Sequence, residues 1–477
     1  MKRKSGVLMH PSSLWGEYSI GSFGDEAYRF VDFLYECGFG VWQTLPFCIT
    51  DEFNSPYKSP AAFSLNPYFI DLTELYRNGY LTKSELLSAK SEERYICEFE
   101  RLKKERMPLL FKAAERALEK GGIKERVDAF IKENPRVAAA ARFLSLKDKY
   151  KDVRLNESGE GSETEPLWEF LHYEFYRQWQ GVKKYANEKG IEIIGDIPIY
   201  VSEDSADVWE NPELFLLDSK GFCREVAGVP PDYFSEEGQL WGNPIYNYSN
   251  MKKDGFSWWR ERIRHTLSLF DGARIDHFRG IDAYWSIPRG KRAIDGKWKK
   301  GPGASLVKAL CDEAGERLLI AEDLGDIDDS VRKLISKFSL PGMRVFEFAF
   351  LGDRESPHLP HNYINNSVAY SGTHDNNTLL GYLFECDSST RTKIFEYCGY
   401  CGSSIDEGAK TVIKTLFSSS AGMVILPIQD VLGFGSDTRM NTPGKSCGNW
   451  VYRVTEEQIS RVDKSYYKRL SYIYSRG

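Results

Sequence analysis

The chain has 477 residues, 42% of them hydrophobic, enough for one large barrel-type domain or two to three ordinary ones. A net charge of −6 and a pI of about 5.8 argue against a nucleic-acid partner, which calls for a basic surface. No run approaches the ~18 apolar residues of a membrane span; "MKRKSGVLMHPSS" lacks a signal-peptide core, and the 9 cysteines, of which only Cys398 and Cys401 are spaced C-x-x-C, read as reduced thiols of a cytoplasmic protein.

In chain order, apolar runs predict strands at residues 5–14, 40–47, 191–201, 272–278, 318–325, 343–350, 367–375 and 422–430. Near-continuous apolar runs fit strands buried on both faces, as in a parallel sheet. Amphipathic helical patterns begin at Asp25, Trp258, Ser305 and Ser330 and fall between those runs. Strand–helix alternation with eight strands predicts an α/β chain, a (β/α)8 barrel covering 1–477; a doubly wound open sheet is the alternative. A Lys- and Glu-rich stretch, 73–189, predicts a mostly helical insertion between the second and third strands, with a polar loop at 156–166. A Pro-, Gly- and aromatic-rich stretch, 202–255, predicts a second, loop-rich insertion over the barrel mouth.

Barrel active sites gather at the C-terminal ends of the strands. The residues closing the predicted runs are His10, Asp196, Arg274, Asp276, His277, Glu322, Asp323, His374, Asp375 and Asp430. Side chains alternate along a strand, so Arg274 and Asp276 point the same way, and the cation favours the ionised aspartate, as a nucleophile needs. Alone, that pair equally fits a structural ion pair sealing the barrel. Glu322 follows Leu318, Leu319, Ile320 and the small Ala321; such surroundings desolvate a carboxyl and help it keep its proton near neutral pH. One ionised and one protonated carboxyl about 5–5.5 Å apart is the pair retaining glycosidic chemistry requires. Asp323 reads as a cap of the following helix. His172, His265, His358 and His361 read as structural. No His-x-His, H-E-x-x-H or phosphate-loop pattern occurs, so neither a metal nor a cofactor is expected. The 11 Trp, 27 Tyr and 28 Phe offer faces on which sugars stack, although large cores use aromatics too.

"ARIDHFRG", "IAEDLG" and "SGTHDNN", in that order, resemble the catalytic strands of the amylomaltase or disproportionating-enzyme family (4-α-glucanotransferases), relatives of the α-amylases. "NSPYKSPAAFSLNPYFIDL" (54–72), "GDIPIYVSEDSADVW" (195–209), "PPDYFSEEGQLWGNPIY" (230–246), "YWSIP" (284–288) and "RMNTPG" (439–444) extend the resemblance from residue 7 to about 453. The resemblance implies Asp276 as nucleophile, Glu322 as general acid/base and Asp375 as a third carboxylate. Asp375 would hold hydroxyls at the cleavage point and help keep Glu322 protonated. It implies Arg274, His277 and His374 as sugar contacts, with Asp196, Tyr57, Trp241 and Asn243 lining the donor and acceptor sites. "KSPAAFSLNPYF" departs from the family's usual small-residue loop, which bears on the outer subsites. The implied activity is transfer of α-1,4-glucan segments between maltooligosaccharides through a glycosyl-aspartate. The rivals are an α-amylase-type hydrolase and a non-catalytic glucan-binding barrel. Three intact acids speak against the latter, since binding alone needs no pair of unlike pKa.

Overall fold

The computed structural model describes residues 1–150, 153, 161–231 and 236–477. Eight strands close a parallel barrel: β1 (Lys4–Leu8), β2 (Val41–Gln43), β3 (Glu192–Ile197), β4 (Gly272–Ile275), β5 (Leu318–Ala321), β6 (Gly342–Val345), β7 (Ser367–Tyr370) and β8 (Met423–Pro427). Each pairs with its neighbours in sequence, and β8 closes on β1. The open-sheet alternative is thereby excluded. Each predicted strand is present but shorter than expected, because the polar ends of the runs turn into rim loops.

The alternation of strand side chains separates two cores. Val41, Ile194, Ile320, Met343, Val345, Val368, Tyr370, Met423 and Ile425 pack together inside the barrel. Their neighbours Trp42, Ile193, Ala273, Leu319, Ala369 and Val424 pack outward with the surrounding helices. Burial on both faces is why the runs read as almost unbroken apolar stretches. Gly195 sits at a close approach: a Cβ there would lie 2.1 Å from the Phe270 ring.

Helices Asp25–Glu36, Glu165–Glu188, Ser257–Leu269, Ala304–Ala314 and Asp329–Lys337 make the first five crossovers. The sixth, from β6 to β7, is made by 3-10 turns at Phe346–Phe348 and Pro360–Asn362, with no α-helix among the described residues. Between β2 and β3 the described residues form helices, including Met107–Leu118, Ile123–Glu133 and Pro135–Lys149. The Glu165–Glu188 helix then returns the chain to the barrel. Its Trp179 is fully buried against Phe23, Trp42 and Phe47, with Nε1 donating to the Leu269 carbonyl at 2.8 Å. Residues 156–160 of the predicted polar loop and 232–235 of the mouth segment lie outside the described residues.

The segment expected to be loop-rich contains strands. Glu225–Val229 and Gln239–Pro244 form a four-stranded antiparallel sheet with Ala283–Pro288 and Lys297–Lys300, which follow β4. Trp285 opposes Trp298 across the sheet, with ring centroids 5.3 Å apart.

Candidate active site

On β4, Ala273 and Ile275 join the outer core, so Arg274 and then Asp276 face inward at the C-terminal rim. Ile194 on β3 and Ile320 on β5 belong to the inner core, and Asp196 and Glu322 each follow two residues later on the same side. In the register, Ile275 is opposite Ala321. Asp276 and Glu322 therefore leave adjacent strands at one level, and neighbouring strands of a sheet run about 4.8 Å apart.

The main chain binds these two positions together. Glu322 N–H donates to the Ile275 carbonyl at 3.1 Å, and Phe278 N–H donates to the Glu322 carbonyl at 3.1 Å. His277 N–H donates to Glu322 Oε2 at 2.6 Å, and Leu324 N–H to Oε1 at 2.7 Å. His277 adopts φ 45°, a left-handed backbone that is uncommon outside glycine and costs on the order of 1 kcal/mol or more. The two N–H donors favour an ionised Glu322, but burial dominates. With Asp276 adding and Arg274 opposing, the carboxyl is raised to about 7. Glu322 is therefore poised to exchange a proton near neutral pH.

Arg274 is buried between two acids, with Nη1 2.6 Å from Asp196 Oδ2 and Nη2 2.8 Å from Asp276 Oδ1. Burial disfavours its charge, yet Asp196 and Asp276 outweigh that and raise its pKa. Tyr57 donates its hydroxyl to Asp196 Oδ2 at 2.7 Å and stacks on His374, with centroids 4.9 Å apart and planes at 14°. His374 Nε2 lies 3.3 Å from Asp375 Oδ2, and Asn441 Nδ2 donates to Asp375 Oδ1 at 2.6 Å. A polar chain thus runs Asp276–Arg274–Asp196–Tyr57–His374–Asp375 across the rim.

Asp375 lies among these groups with 46% of its side chain exposed, so the side chain can be reached from the cleft while each oxygen keeps one protein partner. Burial among protein atoms pushes its carboxyl up, but His374, Asn441 and Arg274 together prevail and bring it to about 2. The rim therefore holds carboxyls of opposite perturbation at positions 322 and 375.

On the other side, the His277 ring meets Trp241 edge-to-face at 4.8 Å. Burial, opposed by Asp276 and reinforced by Arg279, lowers His277 to about 4, so its imidazole is neutral at working pH. Asn243 Nδ2 donates to the Val201 carbonyl at 2.8 Å, so Asn243 braces the wall carrying Trp241.

Of the ten residues to which the resemblance gives catalytic or sugar-binding roles, Tyr57, Asp196, Arg274, Asp276, His277, Trp241, Glu322, His374 and Asp375 share one contact network, while Asn243 stands behind it. Asp323 does not cap the next helix. Its oxygens take the Met343 N–H at 2.6 Å and Arg344 at 3.0 Å, and Asp328 is the helix cap. His10 packs edge-on to Phe69 with Nδ1 3.2 Å from Thr44 Oγ1, and Asp430 accepts from Ser371 and Leu379. His172, His358 and His361 have local partners in Trp168, Val345 and Tyr397. Asn441 and Arg439, whose guanidinium bonds the Asp375 carbonyl, were not picked out singly, though both lie in the "RMNTPG" stretch. Among the described residues no group of three His, Cys, Asp or Glu is placed to hold a metal ion.

Carboxyls of unlike pKa at the C-terminal rim of a (β/α)8 barrel define a barrel enzyme equipped for acid–base and nucleophilic chemistry. The family described as 4-alpha-glucanotransferase matches residues 9–459, and the chain belongs to that family. It is 42% identical to the 4-alpha-glucanotransferase of Streptococcus pneumoniae over 100% of this chain and 98% of that one. It is 41% identical to the chloroplastic/amyloplastic 4-alpha-glucanotransferase of Arabidopsis thaliana, over 95% of this chain and 82% of the relative. An amylomaltase from Streptococcus agalactiae, solved in complex with acarbose, superimposes with a TM-score of 0.95 at 37% identity, covering 100% of both chains.

Proposed function

We propose that this chain transfers α-1,4-glucan segments between maltooligosaccharides by a retaining double displacement, with Asp276, Glu322 and Asp375 as its catalytic acids. The observation that carries the assignment is the pairing of Asp276 and Glu322 on adjacent strands in register, with Glu322 raised to about 7.

Asp276 attacks the anomeric carbon while Glu322 protonates the departing 4-oxygen, giving a glycosyl ester on Asp276 and a shortened glucan. Arg274 orients Asp276 and, through Asp196, ties it to the rim. Glu322, now a base, takes the proton from the 4-hydroxyl of an incoming glucan, which attacks the ester. Two inversions retain the α configuration. Asp375, open to the cleft and anchored by His374 and Asn441, accepts hydrogen bonds from hydroxyls of the sugar at the cleavage point. Trp241 and Tyr57 supply faces for neighbouring sugars, and Arg274, His277 and His374 supply polar contacts.

In this reading 1–477 is one catalytic barrel, with 73–189 and 202–255 as insertions, the second framing the mouth. No described helix is long and apolar enough to cross a membrane, and the proposed setting is cytoplasmic maltose, starch or glycogen metabolism, without a cofactor.

Incubation with maltotriose tests the assignment. Transfer yields glucose together with chains longer than the substrate; hydrolysis yields only shorter products and would replace the transferase reading with the α-amylase-type one.

A further inference from the structure

A buried acid outside the proposed chemistry lies directly beneath the loop that carries Asp375. Met343 and Val345 belong to the inner core of the barrel, and Glu347 follows them in the 3-10 turn Phe346–Phe348 into which β6 runs at its C-terminal end. Its side chain is buried, and Oε1 has no hydrogen-bond partner among the described residues. The next strand, β7, ends at Tyr370, and its rim loop passes over this carboxyl: Glu347 N–H donates to the Ser371 carbonyl at 3.3 Å. At Gly372 a Cβ would stand 2.6 Å from Glu347 Oε1, so the loop is seated on the acid at a distance only glycine permits. Asn376 and the Asn377 N–H face the same carboxyl. Asn376 Oδ1 in turn accepts from Thr373 N–H at 3.0 Å and Thr373 Oγ1 at 2.8 Å, fixing the turn that presents His374 and Asp375.

We infer that Glu347 is a positioning residue for the proposed reaction: wedged under Gly372, its carboxyl seats the 371–379 loop and sets the height at which Asp375 meets the sugar. This rests on the role proposed above for Asp375.

The carboxyl does this in its uncharged form. Asp430, from the helix after β8, lies alongside and anchors the two ends of the same loop by accepting from Ser371 Oγ and Leu379 N–H. Tyr382, from the helix following the loop, faces Glu347 as well, and Arg439 is the cation directed at it. That cation is engaged with the carbonyls of Asp375 and Asn441. A charged Glu347 would bring a second anion beside Asp430 with one buried oxygen unbonded, a costly arrangement. Burial first, then Asp430, push Glu347 well above the usual carboxylate range, with Arg439 opposing.

The test is a double-mutant cycle in the full chain on maltotriose, following kcat and KM for glucose release. Glu347→Ala is expected to lower kcat about a hundredfold, the scale of an ångström-sized misplacement, with little change in KM. Glu347→Gln, neutral and of the same shape, is expected to stay within about threefold of the parent. In an Asp375→Asn background, Glu347→Ala is expected to cost almost nothing further, because both changes remove the same interaction. Glu347→Met, which fills the space without a polar head, replaces the alanine variant if the cavity prevents folding. Losses that multiply in the double variant, an alanine variant as active as the parent, or a glutamine variant as impaired as alanine would overturn the inference while leaving the proposed function intact. An Asp375→Asn single variant with parental turnover would overturn the proposed role of Asp375, and this inference with it.

Discussion

Replacing Glu322 by Gln should abolish turnover and, at the same time, change how the protein's stability depends on pH. The carboxyl has an ordinary value of 4.5 and is raised to about 7 in the fold, chiefly by burial. Between those values the native state holds a proton that the unfolded chain releases, so this group makes stability fall as pH rises. Its contribution is complete below about 4.5 and lost as pH passes about 7. The displacement corresponds to about 3 kcal/mol. The substituted amide has no proton to lose. It also places an NH2 against one of the two backbone N–H groups that Glu322 accepts, a fixed penalty of roughly 1–3 kcal/mol at every pH. The informative quantity is therefore the difference between variant and parent, which should move by roughly 2–3 kcal/mol in the variant's favour from pH 5 to pH 8. Urea denaturation of both proteins at matched pH values measures it, and activity on maltotriose, expected to fall by roughly three or more orders of magnitude, is followed in parallel. A stability difference that stays flat across this range would refute the claim that Glu322 is held protonated, whatever the activity shows.

In the parent enzyme, kcat/KM should decline above pH about 7 as Glu322 loses its proton. Asp375, held at about 2, stays ionised throughout the working range, so no acid limb from it should appear in a pH–rate profile down to pH 4. Asp276→Asn should lose several orders of magnitude in kcat, and mass spectrometry of a trapped glycosyl-enzyme should place the sugar on the peptide containing Asp276; a label elsewhere would move the nucleophile. Tyr57→Phe keeps the ring over His374 but removes the bond to Asp196, and roughly tenfold to a hundredfold in kcat/KM should go with it. Gly372→Ala drives a methyl against Glu347 Oε1, and a lower melting temperature corresponding to about 1–3 kcal/mol is expected.

The barrel was legible because its strands are buried on both faces and therefore written as apolar runs. The placement of the proposed catalytic pair was legible because Arg274, Asp276 and Glu322 interrupt those runs with charges at adjacent strand ends, where the register and the Arg274–Asp276 ion pair bring them together. The four-stranded antiparallel sheet was not: "EVAGV" and "KWKK" are short and lean on partners up to about 60 residues away, so no local period marks them. Asn441 was equally hidden, since its bond to Asp375 joins positions 66 apart in sequence. Glu347 was masked for a different reason. The run "MRVFEFAF" reads as one strand, whereas β6 stops at Val345 and a 3-10 turn carries the acid under the neighbouring loop. Asp323 misled in turn, because an acid just before a helix has the look of a cap while its actual partners sit on β6.

Because positions 276 and 322 leave neighbouring strands side by side and are laced together by peptide N–H groups, the spacing between the proposed nucleophile and its proposed proton donor belongs to the sheet rather than to any surrounding loop. Rim segments can be lengthened, exchanged or trimmed to alter chain-length preference without touching the anomeric outcome. Turning such an enzyme toward inversion would require opening that seam by several ångströms to admit a water, a change no rewriting of the mouth can deliver.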